Sequence, residues 1–461
     1  MKNLFKLFIL VFLLLKFQSC QNRKSVIPTN PNILIIYADD LGYGDLSSYG
    51  GEIPTPNIDR IGNEGIRFTN FYVSAPASTP SRYSLLTGSY PQRSKHDLIR
   101  ALMPAHMNER YLDVSEKTIA EYLKSDGYKT SLFGKWHLGF KNSEDMPQIH
   151  GFDEFSGFRC GCIDFFTHVY GQMGHDWYVD EKETREEGYS TDLITNHTID
   201  FINQVSETDT PFFTYLSYNA PHYGKTDPDT IVEHTVALSE GEYQGYKIIN
   251  TLQAPPQYIE RFKHIEDPYR QAYAAMVSCM DDNIGRVLDL LEQKQILDNT
   301  IIWFISDNGG YSERYYGHAD NGGLRGEKGT LWEGGIKIPS LLCWREKIQP
   351  GQVIHTPLCN VDVLPTLLSV LNIPEQKNKV IDGIDISPVI FERQHIERTI
   401  FWEYNRGKAI REGKWKLLNN KLLFNLEEDP SETTDVSEQY PEIVENLSVK
   451  YTAIQREISE E

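Results

Sequence analysis

Four short apolar segments place the strongest constraint on the fold of this 461-residue chain. None of them alternates between apolar and polar residues, which is typical of parallel strands that are covered on both faces. Helical patterns at 118–123 and 272–291 lie between them. This order of elements predicts an α/β fold, with a large, mixed but mostly parallel central sheet flanked by helices. The four segments are 32–37, 130–133, 212–216 and 300–305.

The last hundred residues follow a different pattern, which predicts a smaller C-terminal α+β subdomain. Segments 400–404, 408–418 and 422–426 indicate short antiparallel strands joined by tight turns. We therefore expect a large domain at 31–355 and a C-terminal subdomain at 356–461. Apolar residues at helical spacing then predict a terminal helix with a buried face of Ile443, Leu447, Tyr451, Ile454 and Ile458.

The first twenty residues are typical of an export signal. Lys2 and Lys6 precede an apolar run at 7–15, which is about half the length that spans a bilayer. Ser19 and Cys20 follow, and the segment resembles a bacterial lipoprotein signal in which the cysteine is lipidated. Ordinary secretory cleavage nearby is the alternative. We expect a signal peptide at 1–19, a tether at 20–30, and a periplasmic or outer-membrane lipoprotein attached to the membrane through this lipid alone.

Charge and cysteine content exclude several classes of protein. Lys and Arg number 45 against 65 Asp and Glu, a formal net charge of −20. Because nucleic-acid binders need a basic surface, we expect no nucleic-acid partner. At face value this excess also argues against an anionic substrate. Besides Cys20, five cysteines at irregular spacing match neither a disulfide framework nor a zinc site: Cys160, Cys162, Cys279, Cys343 and Cys359.

Polar residues follow each predicted strand of the large sheet. Ligands of open α/β sheets bind beyond the carboxyl ends of the strands, so these residues predict one convergent site. The carboxylates and the amide among them are hard oxygen donors that suit Ca²⁺ or Mg²⁺. In chain order the strand ends carry Asp39, Asp40, Lys135, His137, Asn219, His222, Asp307 and Asn308.

Residues 78–88 read STPSRYSLLTG and carry the most specific pattern in the chain. Pro80 is suited to the first turn of a helix, which places Ser78 at the helix N-terminus, where free N–H groups favour an anion. Arg82 follows one turn later. An ordinary capped helix with a surface arginine is the alternative interpretation.

This segment resembles the sulfatase signature, in which Cys or Ser is followed by x-Pro-Ser-Arg, four residues and Thr-Gly. Further segments resemble family blocks in family order and extend the resemblance through most of the chain. Those near the predicted site are 39–40, 134–139, 221–222, 307–309 and 324–329. Those of structural character are 151–153, 281–285, 362–366 and 411–416.

The resemblance implies a type I sulfatase of the alkaline-phosphatase-like superfamily, which hydrolyses sulfuric esters, and the expected substrate is a carbohydrate. In this family Ser78 would be converted to formylglycine. One hydroxyl of its hydrate attacks sulfur to give a covalent sulfo-enzyme, and the other expels sulfate. The serine form implies a radical-type maturing enzyme as a partner. The alternatives are a phosphoester hydrolase of the same superfamily and a catalytically inactive lipoprotein that binds glycans.

The resemblance also implies a cofactor and its ligands. Calcium is the family expectation, with magnesium as the alternative. The ligands that the resemblance assigns are Asp39, Asp40, Asp307, Asn308 and an oxygen of Ser78.

The remaining catalytic roles also follow from the resemblance. Arg82 and Lys135 would hold and polarise the formylglycine, and His137 would assist the collapse of its hydrate. Lys328 would contact the sulfate. His222 would act as general acid on the leaving oxygen, a role for which Lys328 competes. The predicted substrate-binding residues are Lys135, His222, His318 and Lys328.

Two segments, 159–177 and 225–256, are the predicted walls of the specificity pocket. Aromatic side chains there are suited to stacking on sugar rings. The acidic excess of the whole chain is compatible with an anionic substrate, because cationic side chains and a metal ion determine the local charge. It disfavours long, densely sulfated chains and favours short or sparsely sulfated saccharides.

Overall fold

The computed structural model describes residues 30–104, 109–140, 143–376 and 379–460. The predicted signal peptide at 1–19, the lipidation site Cys20 and all but the last residue of the tether at 20–30 lie outside the described residues. In these described ranges, no helix has both the length and the apolar character that crossing a membrane requires.

Strands and helices of the described residues are numbered in chain order. The strands are β1 Asn32–Ala38, β2 Ile66–Tyr72, β3 Lys129–Lys135, β4 Glu154–Phe158, β5 Tyr178–Val179, β6 Lys182–Glu183, β7 Phe212–Ser217, β8 Gly224–Thr226, β9 Val236–Tyr243, β10 Tyr246–Leu252, β11 Thr300–Ser306, β12 Lys337–Cys343, β13 Gln352–Ile354, β14 Leu358–Cys359, β15 Thr399–Tyr404, β16 Gly407–Glu412, β17 Trp415–Leu418 and β18 Leu422–Asn425. The α-helices are α1 Pro56–Asn63, α2 Ser78–Thr87, α3 Ile119–Ser125, α4 Ser190–Val205, α5 Pro256–Arg261, α6 Pro268–Gln293, α7 Glu333–Ile336, α8 Val363–Leu371, α9 Ser387–Glu392 and α10 Pro441–Glu460.

One 11-stranded sheet forms the centre of the fold, with the order β13-β2-β12-β11-β1-β7-β3-β4-β5-β6 and β14 beside β2. The five strands from β11 to β4 run parallel, and antiparallel pairs extend both sides. Each of the four segments predicted as buried strands is a strand of the parallel part. The sequence prediction of a mixed, mostly parallel sheet is therefore confirmed.

Strand register aligns the carboxyl ends of the central strands. All seven residues of β1 are buried, as an apolar strand without alternation requires. Ala38 of β1 pairs with Ser306 of β11, and Ser217 of β7 pairs with both Tyr37 and Gly134. The residues that follow these positions consequently meet at one edge of the sheet.

Asp281 explains why the segment 281–285 is structural rather than catalytic. Its buried carboxylate, on α6, accepts hydrogen bonds from the backbone N–H groups of Asn57 (3.1 Å) and Ile58 (2.8 Å) at the start of α1. These N–H groups have no partner within their own helix. Asp281 therefore fixes α1 against α6, at the side of the sheet.

The C-terminal part contains a four-stranded antiparallel sheet, β15-β16-β17-β18, followed by α10. The prediction of one strand at 408–418 is wrong, because Gly413, with φ +55°, makes a turn that divides it into β16 and β17. The predicted face of α10 is correct: Leu447, Tyr451 and Ile458 are buried. The large sheet continues past residue 355, since β14 pairs with β2.

Lys416 joins the small sheet to the large one. Its fully buried ammonium group lies 3.0 Å from Glu333 of α7 and 2.8 Å from Glu432. A buried charge is tolerated only when it is paired, so this contact fixes the small sheet beside α7. The five cysteines of the described residues are buried free thiols. Their irregular spacing had already argued against a disulfide framework.

Candidate active site

The carboxyl edge of the parallel strands brings together the acids and the lysine that the sequence places at strand ends. Asp39 follows β1, Asp307 follows β11, and Lys135 is the last residue of β3. All three side chains are buried. Gly134 allows β3 to pass close to β7, because a Cβ there would lie 1.9 Å from the carbonyl oxygen of Ser217.

Ser78 is the first residue of α2, and its side chain points into this cluster. The hydroxyl donates to Asp39 Oδ1 (2.9 Å) and to Asp307 Oδ2, and it accepts from Lys135 Nζ (3.0 Å). Helix α2 is buried along its whole length and ends at Gly88, which adopts a left-handed conformation. Ser78 is therefore a buried hydroxyl held between two carboxylates and an ammonium group.

Arg82 lies one turn after Ser78, on the same face of α2. Its guanidinium is fully buried and contacts Asp307 Oδ2 at 3.1 Å and Asp39 Oδ1 at 3.6 Å. It also donates to Ser217 Oγ, and it lies 5.2 Å from the centre of the Tyr37 ring. The alternative of a surface arginine is thus wrong.

Asp40 is the centre of the second half of the site. Lys328 Nζ contacts both of its carboxylate oxygens, at 2.6 and 2.8 Å. His222 Nε2 lies 3.4 Å from Asp40 Oδ2, while Nδ1 of the same ring lies 2.7 Å from the carbonyl oxygen of Tyr223. Asn308 Nδ2 donates to Asp40 Oδ1 at 2.7 Å.

Burial and neighbouring charges shift the pKa values of these groups. Burial and the nearby charge of Asp39 raise the pKa of the Asp307 carboxyl, and Arg82 and Lys135 oppose the rise. Burial lowers the pKa of Lys135, with Asp39 opposing it. Burial lowers the pKa of Lys328, but the neighbouring Asp40 carboxylate raises it, and the net effect is a raised pKa. The site therefore keeps a charged lysine beside Asp40.

Two predicted histidines lie beside the cluster without a hydrogen bond to Ser78 in the described residues. His137 Nε2 lies 3.1 Å from the carbonyl oxygen of Leu102, and its buried Nδ1 has no hydrogen-bond partner there. His318 is buried against Tyr273, and its Nδ1 lies 2.9 Å from the carbonyl oxygen of Tyr315. Burial lowers the pKa of His318 to about 4. The roles of both remain predictions.

The donor set fits a divalent cation. Asp39, Asp40 and His222 bring ligand atoms within 4.8 Å of one another. Asn308 Oδ1 is buried without a hydrogen-bond partner in the described residues, as an amide oxygen reserved for a cation would be. Carboxylate and amide oxygens suit Ca²⁺ and Mg²⁺, so the predicted ligands are compatible with either ion.

Sequence reasoning missed the partners that hold Arg82. Ser217 accepts from the guanidinium and itself donates to the carbonyl oxygen of Lys135 at 2.8 Å. Tyr37 donates to, or accepts from, Ser81 at 2.8 Å beneath the same guanidinium. Ser217 is the last residue of β7, and its place at a strand end was the available signal.

The fold and the site together place a buried cluster of acidic and basic side chains, with donors that fit a divalent cation, at the carboxyl edge of an α/β sheet. The family described as Sulfatase matches residues 31–373. The chain therefore belongs to the sulfatase family, and it is a sulfuric ester hydrolase by class.

Relatives of known name agree with this assignment. The chain is 30% identical to Arylsulfatase J of Mus musculus, over 91% of this chain and 75% of that protein. It is 27% identical to N-acetylgalactosamine-6-O-sulfatase of Bacteroides thetaiotaomicron, covering 91% and 92% of the two chains. The crystal structure of Ps i-CgsB in complex with k-i-k-neocarrahexaose has a TM-score of 0.80 at 30% identity, over 91% and 92% of the chains.

Calcium or magnesium should stabilise the folded chain. A ligand at about 100 times its Kd adds roughly 2.7 kcal/mol to the free energy of unfolding. We expect thermal unfolding of metal-stripped protein to shift upward on addition of the bound ion. Asp307→Asn should lose most of this shift. Asp362→Asn, an equally buried acid paired with Arg398 away from the site, should keep it. An equal shift in both variants would place the ion elsewhere.

Proposed function

We propose that this chain removes sulfate from short sulfated saccharides through a formylglycine derived from Ser78. The observation that carries the proposal is the environment of Ser78, a buried hydroxyl between Asp39, Asp307 and Lys135 at the start of α2. An unmodified serine there would lack a second hydroxyl with which to release bound sulfate. As its hydrate, formylglycine supplies one hydroxyl for attack on sulfur and another for the release of sulfate.

The charges of the site suit a sulfate ester. Asp39, Asp40 and Asp307 balance Arg82, Lys135 and Lys328 within the buried cluster. A divalent cation held by the three carboxylates and Asn308 would neutralise negative charge and leave the cationic side chains to the ester oxygens. Calcium is the proposed ion, with magnesium as the alternative. The acidic chain thus contains a local anion site.

Each charged side chain has one part in the proposed reaction. Asp307 Oδ2, which accepts a hydrogen bond from the hydroxyl of unmodified Ser78, would accept the proton of the attacking hydroxyl. Arg82 and Lys135 hold the group at position 78. Lys328 is released from Asp40 to contact the sulfate. His222, beside Asp40, donates a proton to the leaving oxygen. His137 assists the collapse of the hydrate, and His318 contacts the substrate.

The proposed substrate is a saccharide because of the relatives and because of the walls around the site. Several relatives are named N-acetylgalactosamine-6-sulfatase, and one similar structure holds a neocarrahexaose. Strands β8 to β10 form one wall, and the tyrosines at 223, 311 and 315 form a cluster of rings beside His222. Such rings provide the flat apolar faces against which sugar rings pack.

Maturation and location are part of the same proposal. The serine at position 78 would be oxidised by a radical-type maturing enzyme, and the lipid on Cys20 would hold the exported chain at the periplasmic or outer membrane. Labelled fatty acid should then appear on wild-type protein but not on Cys20→Ala. Soluble export of both forms would instead support ordinary secretory cleavage.

The activity is tested by measuring sulfate release from defined compounds. Matured chain should release sulfate from an aryl sulfate and from at least one saccharide of a panel that includes N-acetylgalactosamine 6-sulfate. An aryl phosphate serves as the matched control. Faster phosphate release than sulfate release would favour the phosphoesterase alternative, and saccharide binding without any turnover would favour the inactive binding protein.

A further inference from the structure

Lys225 is a positive charge beside the active site that the proposed reaction does not use. It lies on β8, three residues after His222, and its side chain is half-buried. Its Nζ donates to the amide oxygen of Asn250 at 2.6 Å. Among the described residues, no ion pair joins Lys225 to an acidic side chain. Its amine is therefore held in place by a neutral group and can donate further hydrogen bonds.

Two aromatic rings place this amine close to the reacting centre. Lys225 Nζ lies 5.2 Å from the centre of the Tyr223 ring and 5.7 Å from that of Tyr170. The Tyr223 ring in turn lies 4.1 Å from the ring of His222. One aromatic ring thus separates Lys225 from the histidine that faces Asp40.

A cavity of about 210 Å³ opens beside Lys225. Strand pairing explains which side chains face it. Lys225 is opposite Asn250, and Asn250 is opposite Ser239, so these three residues lie on one face of the small sheet. Asn250 also donates to Ser239 Oγ at 2.8 Å, which fixes the amide that holds the lysine.

The two acids that border the cavity face the other way. Glu240 and Glu242 alternate with Ser239 and Gly241 along β9, and they pair with Ile249 and Lys247. Side chains of adjacent residues in a strand point to opposite faces. Alternation therefore directs their side chains to the face opposite Lys225, although both residues line the cavity, and Lys225 is the basic residue of that lining.

We infer that Lys225 and this cavity bind a second anionic group of the substrate, on the sulfated sugar or on its neighbour. The inference rests on the proposed function and specifies its substrate class as saccharides with two acidic groups. A second sulfate and the carboxylate of a uronic acid share the chemistry that a lysine recognises. A hydrogen bond to a charged group contributes about 1.5–3 kcal/mol. Such a contact would give a doubly anionic saccharide roughly a tenfold or larger preference over a singly anionic one.

The test compares matched substrates on the matured full-length chain. The reference is N-acetylgalactosamine 6-sulfate. One arm adds a second sulfate, as the 4,6-disulfate, and the other adds an adjoining uronic acid. Both kcat/KM and competitive inhibition of aryl sulfate turnover are measured. We expect wild type to prefer one doubly anionic compound at least about tenfold over the reference, and the arm that shows the preference identifies the group.

Substitution of the lysine separates recognition from turnover. Lys225→Met should lower the ratio of kcat/KM between doubly and singly anionic compounds roughly tenfold, mainly through KM, and Lys225→Arg should restore most of it. Lys247→Met, an exposed lysine on the other face of the same sheet, should keep the wild-type ratio. A wild-type enzyme without preference, or an unchanged ratio in Lys225→Met, would overturn the inference. If the matured wild-type chain does not hydrolyse aryl sulfate at all, the proposed function itself is refuted.

Discussion

Replacing Ser78 by alanine should abolish sulfate release while leaving the fold intact. The variant lacks the only side-chain oxygen from which the proposed aldehyde can form. Loss of a catalytic nucleophile costs on the order of 10³-fold or more in kcat. The free energy of unfolding should change by about 1 kcal/mol, because a few hydrogen bonds of one hydroxyl are lost. Sulfate release and thermal unfolding of the same preparation measure both quantities.

Ser84 provides the matched control for this substitution. It lies on the same helix, is fully buried, and its hydroxyl has no hydrogen-bond partner in the described residues. Ser84→Ala should therefore keep nearly all activity. Wild-type chain made without a maturing enzyme should resemble Ser78→Ala. Turnover by Ser78→Ala within tenfold of wild type would contradict the assignment of the nucleophile.

Replacing Arg82 by methionine should cause the largest loss of stability among the site substitutions. Arg82 is fully buried, and its guanidinium lies against Asp307 and Asp39. Removing one partner of a buried ion pair leaves uncompensated charge and costs about 3–5 kcal/mol. Activity should fall as well, because the carboxylates lose the group that orients them. Chemical unfolding of the two proteins measures the difference in the free energy of unfolding.

Arg60 is the control for this second substitution. It contacts three acids where Arg82 contacts two, but its partners lie at the surface: Glu64, Asp289 and Glu292. Arg60→Met should change the free energy of unfolding by no more than about 1 kcal/mol. Arg82→Lys should recover part of the stability, since it keeps the charge without the planar fork. If Arg82→Met and Arg60→Met lower the free energy of unfolding equally, the buried ion pairs of Arg82 stabilise the fold no more than surface ion pairs do.

The parallel strands were predictable because burial on both faces leaves a direct mark on the sequence. A strand such as β1 needs an uninterrupted apolar run along most of its length, and the polar residue that follows it, Asp39, reaches the sheet edge. The motif at 78–88 added the helix that delivers Ser78. Both signals lie in short stretches of sequence, and together they predicted most of the residues of the candidate site.

The remainder depends on contacts between distant parts of the chain. Lys328 lies beside Asp40, 288 residues away, and no local pattern encodes that ion pair. The contact of His137 Nε2 with the carbonyl oxygen of Leu102, 35 residues away, is equally absent from any local pattern. The small sheet of β8, β9 and β10, which carries Lys225, was predicted only as a wall. Its register, not its composition, determines which charges face the site.

The turn at Gly413 was missed although the sequence marks it. Segment 408–418 reads KAIREGKWKLL, and its central glycine is a turn signal that the prediction of one strand passed over. The left-handed conformation of Gly413 reverses the chain, and Lys416 is then placed against Glu333. The turn was predictable, whereas the pairing of Lys416 with Glu333 depends on a contact between distant parts of the chain.

The mass of the peptide 68–82, released by cleavage after Arg67 and Arg82, tests the central claim most directly. Protein that releases sulfate should contain this peptide lighter by two hydrogen atoms than the encoded sequence, because the hydroxymethyl group of Ser78 has become an aldehyde. The fraction of modified peptide should rise in proportion to specific activity across preparations. Full activity with Ser78 unmodified would contradict the account.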